Sequence, residues 1–213
     1  DIITAPGLAP LSHGFFTRRG GASSGVFAGL NCGHGSSDQH EAVTINRSRA
    51  AHALGVSPEA LIGVHQVHSA RATTVTEPGM EPVKADALVT ARPGLALSVL
   101  AADCQPVLFA DHLAGVIGAA HAGWRGTLEG VLEATLDGME ALGADRGSTV
   151  AVIGPCISQG NYEVGPEFLD DFLADAPENA RFFANGTGDR YLFDLPGFGL
   201  HRLRAAGIGE ATW

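Results

Sequence analysis

Three apolar runs followed by a helical repeat constrain the fold of this chain more than any other feature. The runs cover residues 96–102, 106–111 and 115–122, and the short gaps between them are typical of an antiparallel meander. Apolar positions then recur between 127 and 142 with the spacing of one helix face, at Leu128, Val131, Leu132, Thr135, Leu136, Met139 and Leu142. This part of the chain therefore predicts neighbouring strands and a helix.

The other elements mix strands and helices without alternating one for one. Further strand-like runs lie at 61–69, 70–77 and 149–157. Helices are predicted at about 39–54, 166–175 and about 195–206. Strands that cluster between helices favour an α+β fold over a doubly wound sheet. Since 213 residues suffice for one large domain, we expect a single α+β domain over residues 1–213, with mixed β-sheets packed with helices.

The charge balance bears on partners, and the cysteines bear on the compartment. The chain has 13 Lys and Arg against 23 Asp and Glu, a net charge of −10, which argues against nucleic-acid and anionic membrane partners. No apolar run approaches the roughly 18 residues of a membrane span, and no signal-peptide pattern opens the chain. Cys32, Cys104 and Cys156 are an odd number of widely spaced cysteines, which favours a reducing compartment. We therefore expect a cytoplasmic protein.

Two histidines and a cysteine are the leading candidates for chemistry. His68, Cys104 and His121 each lie at or near the end of a predicted strand, where a sheet brings distant residues to one edge. A catalytic zinc ion takes three nitrogen or sulfur ligands and leaves a fourth position for water or substrate. His65 lies an odd number of residues from His68, so on a strand it would point to the opposite face. We expect His65 to have a core or surface role.

Arginines in two glycine-rich segments are candidates for binding an anion. The segment 118–126, GAAHAGWRG, enters the predicted helix, and its backbone N–H groups together with Arg125 would suit an anion. A tight turn with an exposed arginine is the equal alternative. Arg18 and Arg19 lie in a Gly/Ser loop and suit phosphate recognition, although solvated surface arginines are more common.

Seven motifs occur in a fixed order along the chain. They are FFTRRGGAS (15–23), LN (30–31), HQVHS (65–69), ADC (102–104), HAGWRG (121–126), IGPCI (153–157) and YEVG (162–165). In this order they resemble the laccase-domain family, also called multicopper polyphenol oxidase-like, purine nucleoside phosphorylase-like or peptidoglycan editing factor. The resemblance covers about residues 13–200, and ADC with HAGWRG is its most specific part. It implies an α+β domain, a zinc site, and cytoplasmic phosphorolysis of purine nucleosides with deamination of adenosine.

The resemblance also implies roles for individual residues. Matching motifs make His68, Cys104 and His121 the zinc ligands and catalytic centre, and associate Arg18 with activity. Purine nucleosides and phosphate are the implied partners. The residues expected to contact substrate are Arg18, Asn31 and Arg125. The family pattern usually continues beyond the position of Trp213 with a Cys-Thr and an aromatic–Arg-Arg segment, so we expect part of the pocket wall to be missing from residues 1–213.

The histidine content bears on which metal is expected. Laccase-type oxidation uses a trinuclear copper cluster that needs about eight histidines, typically in His-x-His pairs. The nine histidines here are scattered and form no such pair, so we expect Zn²⁺ rather than copper. Zinc would lower the pKa of bound water toward about 7 for attack at C6 of adenine. Phosphorolysis instead needs phosphate held against C1′ of the ribose, which is the role expected of Arg18.

Two other functions use the same residues. In a cysteine hydrolase, such as an enzyme that trims peptidoglycan precursors, Cys104 would be the nucleophile and His121 or His68 the base. A purine- or metal-binding module would bind without turnover. Asp103, next to Cys104, is expected to orient a ligand or carry a proton from outside the ligand set.

Overall fold

A mixed sheet of six strands forms the centre of the molecule, which a computed structural model describes over residues 1–213. The strands of the chain are β1 (Ile2–Ile3), β2 (Phe15–Phe16), β3 (Leu61–Ile62), β4 (Ala72–Thr74), β5 (Ala87–Thr90), β6 (Ala96–Leu97), β7 (Gln105–Asp111), β8 (Val116–Ala122), β9 (Val150–Ile153), β10 (Glu163–Val164), β11 (Phe183–Asn185), β12 (Tyr191–Phe193) and β13 (Glu210–Thr212). The α-helices are α1 (His40–Ala53), α2 (Trp124–Glu129), α3 (Val131–Glu140), α4 (Pro166–Asp175) and α5 (Leu195–Ala205).

The order of strands in the central sheet is β13-β9-β7-β8-β5-β4. Strand β8 runs antiparallel to both of its neighbours, with His121 opposite Pro106 of β7 and Ala120 opposite Ala87 of β5. The end of β8 therefore lies beside the beginnings of β5 and β7. The parallel pairing of β4 with β5 brings the loop before β4 to the same edge. This edge is where the candidate residues meet.

Helix α3 covers one face of the central sheet. Its buried residues Val131, Leu132, Leu136 and Met139 form one stripe and join the main core with residues of β5, β7, β8 and β9. Gly118 of β8 lets the helix approach closely, because a Cβ there would lie 3.1 Å from the sulfur of Met139. Complete burial of a leucine or methionine side chain contributes about 1.5–3 kcal/mol, so this stripe is a main source of stability.

A second core is made largely of aromatic rings. Strands β10, β12 and β11 form a small antiparallel sheet in that order. Its core includes Phe172, Phe193 and Phe198, which are fully buried. Trp124, the first residue of α2, packs against this cluster, with its ring centroid 4.7 Å from that of Phe168. The aromatic core thus supports the turn that follows His121.

The α+β class with mixed sheets is confirmed, as are the helices near 39–54, 166–175 and 195–206. The helix predicted over 127–142 is confirmed over Val131–Glu140, but it is not continuous, because Gly130 has a φ of 100° and separates α2 from α3. A residue with that φ cannot continue a right-handed helix, and glycine adopts it without steric cost. The strand predicted over 149–157 is limited to Val150–Ile153, and that over 70–77 to Ala72–Thr74.

The predicted meander is only half correct. The strands at 106–111 and 115–122 do pair antiparallel, but in the run 96–102 only Ala96–Leu97 is extended. That short strand pairs in parallel with Leu61–Ile62 in a separate sheet, and beyond it the backbone N–H and carbonyl of Leu100 bind the side chain of Gln66. The other neighbour of β8 is β5, which the sequence pattern did not predict.

The strand predicted over 61–69 ends at Ile62. A carboxylate takes the backbone N–H groups of residues 67–69 that a ladder would use, and this competition converts the segment into a loop. None of the helices combines the length and apolar character needed to cross a membrane.

Candidate metal centre

Two histidines and a cysteine converge at the edge of the central sheet. His121 is the penultimate residue of β8, Cys104 directly precedes β7, and His68 lies in the loop before β4. Their potential ligand atoms all lie within 4.8 Å of one another, and His68 Nε2 is 3.9 Å from Cys104 Sγ. His121 is buried, Cys104 is half-buried and His68 is exposed. The cluster is therefore open to solvent on the side of His68.

Asp86, the residue directly before β5, lies behind this cluster and is completely buried. Its carboxylate accepts a hydrogen bond of 2.9 Å from His121 Nδ1, so His121 turns its Nε2 atom towards the cluster. It also accepts the backbone N–H groups of Val67, His68 and Ser69 and the hydroxyl of Ser69. One carboxylate thereby contacts the segments that carry two of the three candidate ligands.

The ionisation of these groups follows from burial and from neighbouring charges. Burial raises the pKa of Asp86, but hydrogen bonds from Ser69, His121 and Val67 outweigh it, and the pKa falls below its ordinary value. Burial lowers the pKa of His121, so its ring is neutral at pH 7, the form that binds metals. Burial raises the pKa of Cys104, and Asp103 and Asp86 raise it further. A cation at the site would reverse this effect, because a metal-bound cysteine is a thiolate.

The cluster fits a zinc ion in donor type and in space. Zinc bonds of about 2.0–2.3 Å in a tetrahedron place ligand atoms about 3.3–3.6 Å apart. The candidate ligand atoms lie somewhat further apart, at 3.9 Å for His68 Nε2 and Cys104 Sγ and within 4.8 Å for the trio, so small side-chain movements would close them around an ion. Gly123 faces the cluster, and a Cβ on it would lie 2.9 Å from Cys104 Sγ and 3.1 Å from His68 Cδ2. The space around these donors thus depends on the absence of a side chain at position 123. No other group of three such side chains comes together in the chain.

The loop of His68 is fixed by a second set of contacts. His68 has a φ of 59°, the only non-glycine residue with a positive value. Two residues earlier, Gln66 donates to the carbonyl of Leu100 and accepts from its N–H, both at 2.7 Å. Residues 66–69 are therefore attached to the segment before Cys104 by Gln66 and to β5 by Asp86.

The structure also locates the residues expected at the substrate. Arg18 is exposed, and its Nε and Nη2 groups donate to the carbonyl of Ala28. Arg125 is exposed and pairs with Glu129 at 2.8 Å. The side chain of Asn31 donates to Ser36 and Asp38 and accepts from Gly33 N, all within its own loop. Contact of these three residues with substrate stays a prediction.

Several other candidates lie outside the cluster. His65 is exposed and pairs through its backbone with Val83 and Ala85. Asp103 is exposed and binds Ile157 N through its backbone carbonyl, whereas Asp86 occupies the orienting position expected of Asp103. Cys32 and Cys156 are half-buried free thiols, and burial raises the pKa of Cys156 to about 11. Neither belongs to the cluster of candidate ligands.

A cavity of about 500 Å³ lies beside the site without including it. Thr17, Asn31, Ala102 and Pro106 are among the residues that line it, but none of the three candidate ligands does. Its walls are mostly apolar. The candidate ligands therefore lie at the open edge of the sheet and not in this cavity.

The sequence patterns did not single out Asp86 and Gln66. The signal for Asp86 was present, since it is the one charged residue in the apolar segment 85–90, and a buried carboxylate needs several hydrogen-bond partners. No comparable signal marked Gln66, because its role depends on a loop 34 residues away.

Comparison with known proteins gives a consistent set of relatives. A sequence model of the family described as multi-copper polyphenol oxidoreductase laccase matches residues 12–213. A Deinococcus radiodurans protein named purine nucleoside phosphorylase is 40% identical over 216 residues, covering 98% of this chain and 80% of that protein. A Streptomyces coelicolor protein of the same name is 45% identical over 177 residues, covering 82% and 72%.

Solved structures share the fold. YlmD from Geobacillus stearothermophilus superposes with a TM-score of 0.89 at 31% identity, covering 98% of this chain and 82% of that one. YfiH from Bacillus licheniformis has a TM-score of 0.87 at 29% identity, covering 94% and 80%. The match thus extends over nearly the whole chain in sequence and in structure.

Proposed function

Because the chain belongs to the multi-copper polyphenol oxidoreductase laccase family, we propose that it is a zinc-dependent purine nucleoside phosphorylase that also deaminates adenosine. The observation that carries the proposal is the convergence of His68, Cys104 and His121 at the open edge of the sheet. Relatives about 40% identical that are named purine nucleoside phosphorylase support the reaction. The substrates we propose are small molecules, a purine nucleoside and phosphate, and we propose a cytoplasmic location.

The donor set fits zinc, and the small number of histidines in it argues against a multicopper centre. Two imidazoles and one thiolate are a known ligand set for catalytic zinc, with a fourth position left for water or substrate. A trinuclear copper site would need many more histidines than the two that meet here. A zinc ion held by these residues would act as a Lewis acid and lower the pKa of a water in the open position towards about 7.

Phosphorolysis exchanges one bond at C1′ of the ribose. A phosphate oxygen forms a bond to C1′ as the bond between C1′ and the purine nitrogen breaks, and the purine takes up a proton. The products are the free base and ribose 1-phosphate. Since the chain carries a net charge of −10, a local cation has to offset the repulsion of the phosphate.

Arg18 is the cation that we assign to this role. Two of its nitrogens are engaged by the carbonyl of Ala28, which fixes the direction of the guanidinium, and Nη1 has no partner within the chain. Arg125 would join it by exchanging Glu129 for phosphate. Asn31 holds its own loop in shape and would act on the substrate through that loop.

Deamination needs water and no phosphate. Water adds at C6 of adenine, ammonia leaves, and inosine is the product. His121 is neutral and fixed by Asp86, so it can serve as a ligand without accepting a proton. The reaction therefore depends on the histidine and cysteine cluster and not on Arg18.

One experiment tests both activities. The purified protein, loaded with one equivalent of zinc, is incubated with adenosine in the presence and absence of phosphate, and products are identified by mass. We expect adenine and ribose 1-phosphate only with phosphate, and inosine under both conditions. Absence of every product with adenosine and with inosine would contradict the proposal.

A cysteine hydrolase is the second candidate, and one observation favours it. Asp86 contacts Nδ1 of His121, and Nε2 of the same ring lies towards Cys104. Cysteine, histidine and carboxylate therefore stand in the order of a nucleophile, a base and the acid that orients the base. The two functions differ in thiol accessibility. A zinc-bound Cys104 resists iodoacetamide until a chelator is added, whereas a nucleophilic Cys104 is alkylated without one.

A further inference from the structure

Asp86 is the most deeply buried carboxylate of the chain, and none of the recognised motifs contains it. Its exposed fraction is 0%, and the only other buried acidic side chain is Asp111, at 2%. A buried carboxylate is costly unless hydrogen bonds and a nearby positive charge compensate for the loss of water. The hydrogen-bond partners of Asp86 therefore indicate which segments it holds in place.

The contacts fix both candidate histidines. His121 Nδ1 lies 2.9 Å from the carboxylate, and because an ionised carboxylate only accepts, Nδ1 carries the proton and Nε2 keeps its lone pair. The oxygen that contacts His121, Oδ1, also accepts the N–H of His68, and Oδ2 accepts the N–H groups of Val67 and Ser69. The N–H of His68 itself is bound at 3.0 Å, so Asp86 fixes the left-handed residue in which φ is 59°.

The charges are also complementary. A divalent cation bound by one thiolate and two neutral imidazoles leaves one positive charge uncompensated. Asp86 supplies one negative charge directly behind His121. Metal-binding histidines commonly donate their second N–H to a carboxylate in this way, and loss of that partner lowers metal affinity by about 10–100-fold.

We infer that Asp86 is a positioning residue that forms the metal site before the ion arrives, by selecting the tautomer of His121 and the backbone conformation of His68. This inference rests on the metal site proposed above. An asparagine at position 86 has one carbonyl oxygen for the four donors of residues 67–69, and its NH₂ group can donate to His121 Nδ1. The proton of His121 would then move to Nε2, where it blocks the ligand position.

Asp111 provides a matched control. It is buried in β7 and accepts four hydrogen bonds, from Leu113 N, Ala114 N, Asp145 N and Ser148 Oγ. It lies at the opposite end of β7 from Cys104. Asp111→Asn therefore removes a comparable buried acceptor from the same sheet without touching the cluster.

The test is the zinc affinity of the parent protein, Asp86→Asn and Asp111→Asn, measured by competition with a chromogenic chelator. We expect one zinc per parent chain, a 10–100-fold loss of affinity in Asp86→Asn, and a change below threefold in Asp111→Asn. Cobalt(II) loading should give the intense visible bands of a four-coordinate site in the parent and in Asp111→Asn only. Equal affinity of Asp86→Asn and Asp111→Asn would overturn the inference while leaving the metal site intact.

Two further results distinguish a failure of the proposed metal site from a failure of the role assigned to Asp86. A parent protein that binds no zinc would overturn the proposed metal dependence and the inference with it. If Asp86→Asn does not fold, ¹⁵N chemical shifts of His121 in the metal-free parent decide the matter. We expect Nδ1 protonated and Nε2 unprotonated, and the opposite tautomer would overturn the role assigned to Asp86.

Discussion

Gly123 lies so close to Cys104 that a Cβ atom on the glycine would be 2.9 Å from the sulfur. The register of the sheet produces this contact. Gln105 of β7 pairs with Ala122 of β8, so the residues next beyond them, Cys104 and Gly123, face each other at the edge. The thiol can therefore reach the histidines only where the facing residue has no side chain.

Gly123→Ala should weaken zinc binding at least tenfold, because the new methyl group displaces the sulfur and the ring of His68, which would lie 3.1 Å from it. The measurement is chelator competition with the zinc-loaded protein. Gly35→Ala is the matched control, since a Cβ at Gly35 meets no atom within 4 Å. Unchanged affinity in Gly123→Ala would show that the cluster has room to spare and would argue against the proposed geometry.

Cys104→Ala should abolish nucleoside turnover with little effect on the melting temperature, because the lost group is a half-buried ligand at the sheet edge and not a large core side chain. Cys32→Ala is the control, a half-buried thiol outside the cluster, and should retain activity. Turnover and thermal unfolding are measured on the same preparations. Parental activity in Cys104→Ala would contradict both the zinc and the hydrolase functions.

Arg18→Ala should reduce phosphorolysis more than deamination, and the difference should grow as phosphate falls below saturation. A hydrogen bond from a guanidinium to a charged group contributes about 1.5–3 kcal/mol, which is more than a tenfold difference between the two activities. Both product streams are followed from one adenosine sample. Arg19→Ala, whose side chain is exposed and pairs with Asp1, is the control. Equal loss of both activities would remove the phosphate role from Arg18.

Asp111→Asn should make the free energy of unfolding change less with pH in the acid range. Burial raises the pKa of Asp111, but hydrogen bonds from Asp145, Ala114, Ser148 and Leu113 lower it more, so the folded pKa lies below its ordinary value. Stabilisation by this group is complete above the unfolded pKa of about 3.9 and is lost as pH falls through the folded pKa. The melting temperatures of parent and variant should differ at pH 7 and converge below about pH 4. A constant difference would contradict the assignment.

Local patterns predicted the parts of the fold that local forces determine. Helix α4 matches the predicted 166–175, and the stripe at Val131–Met139 is the buried face of α3. The sequence predicted His68, Cys104 and His121 as candidate ligands from their residue types, their places near strand ends and the family motifs. Their convergence then followed from the register that places His121 between β5 and β7.

Long-range side-chain contacts explain what the sequence did not predict. The segment 61–69 was predicted as a strand because of its Val and Ile residues, but Asp86, 17 to 19 positions away, accepts the N–H groups of residues 67–69. In the run 98–102 the backbone groups of Leu100 bind the side chain of Gln66, and no strand ladder continues there. Neither competition is visible in a local window, since each depends on which distant segment arrives at the sheet edge.

The most direct test of the account is the phosphate dependence of ribose 1-phosphate formation by the zinc-loaded protein. With adenosine or inosine as substrate, we predict ribose 1-phosphate and free purine base in equal amounts. Formation should stop when zinc is removed with a chelator and return when one equivalent is restored. Production of free ribose, or turnover that neither phosphate nor zinc affects, would contradict a zinc-dependent phosphorylase.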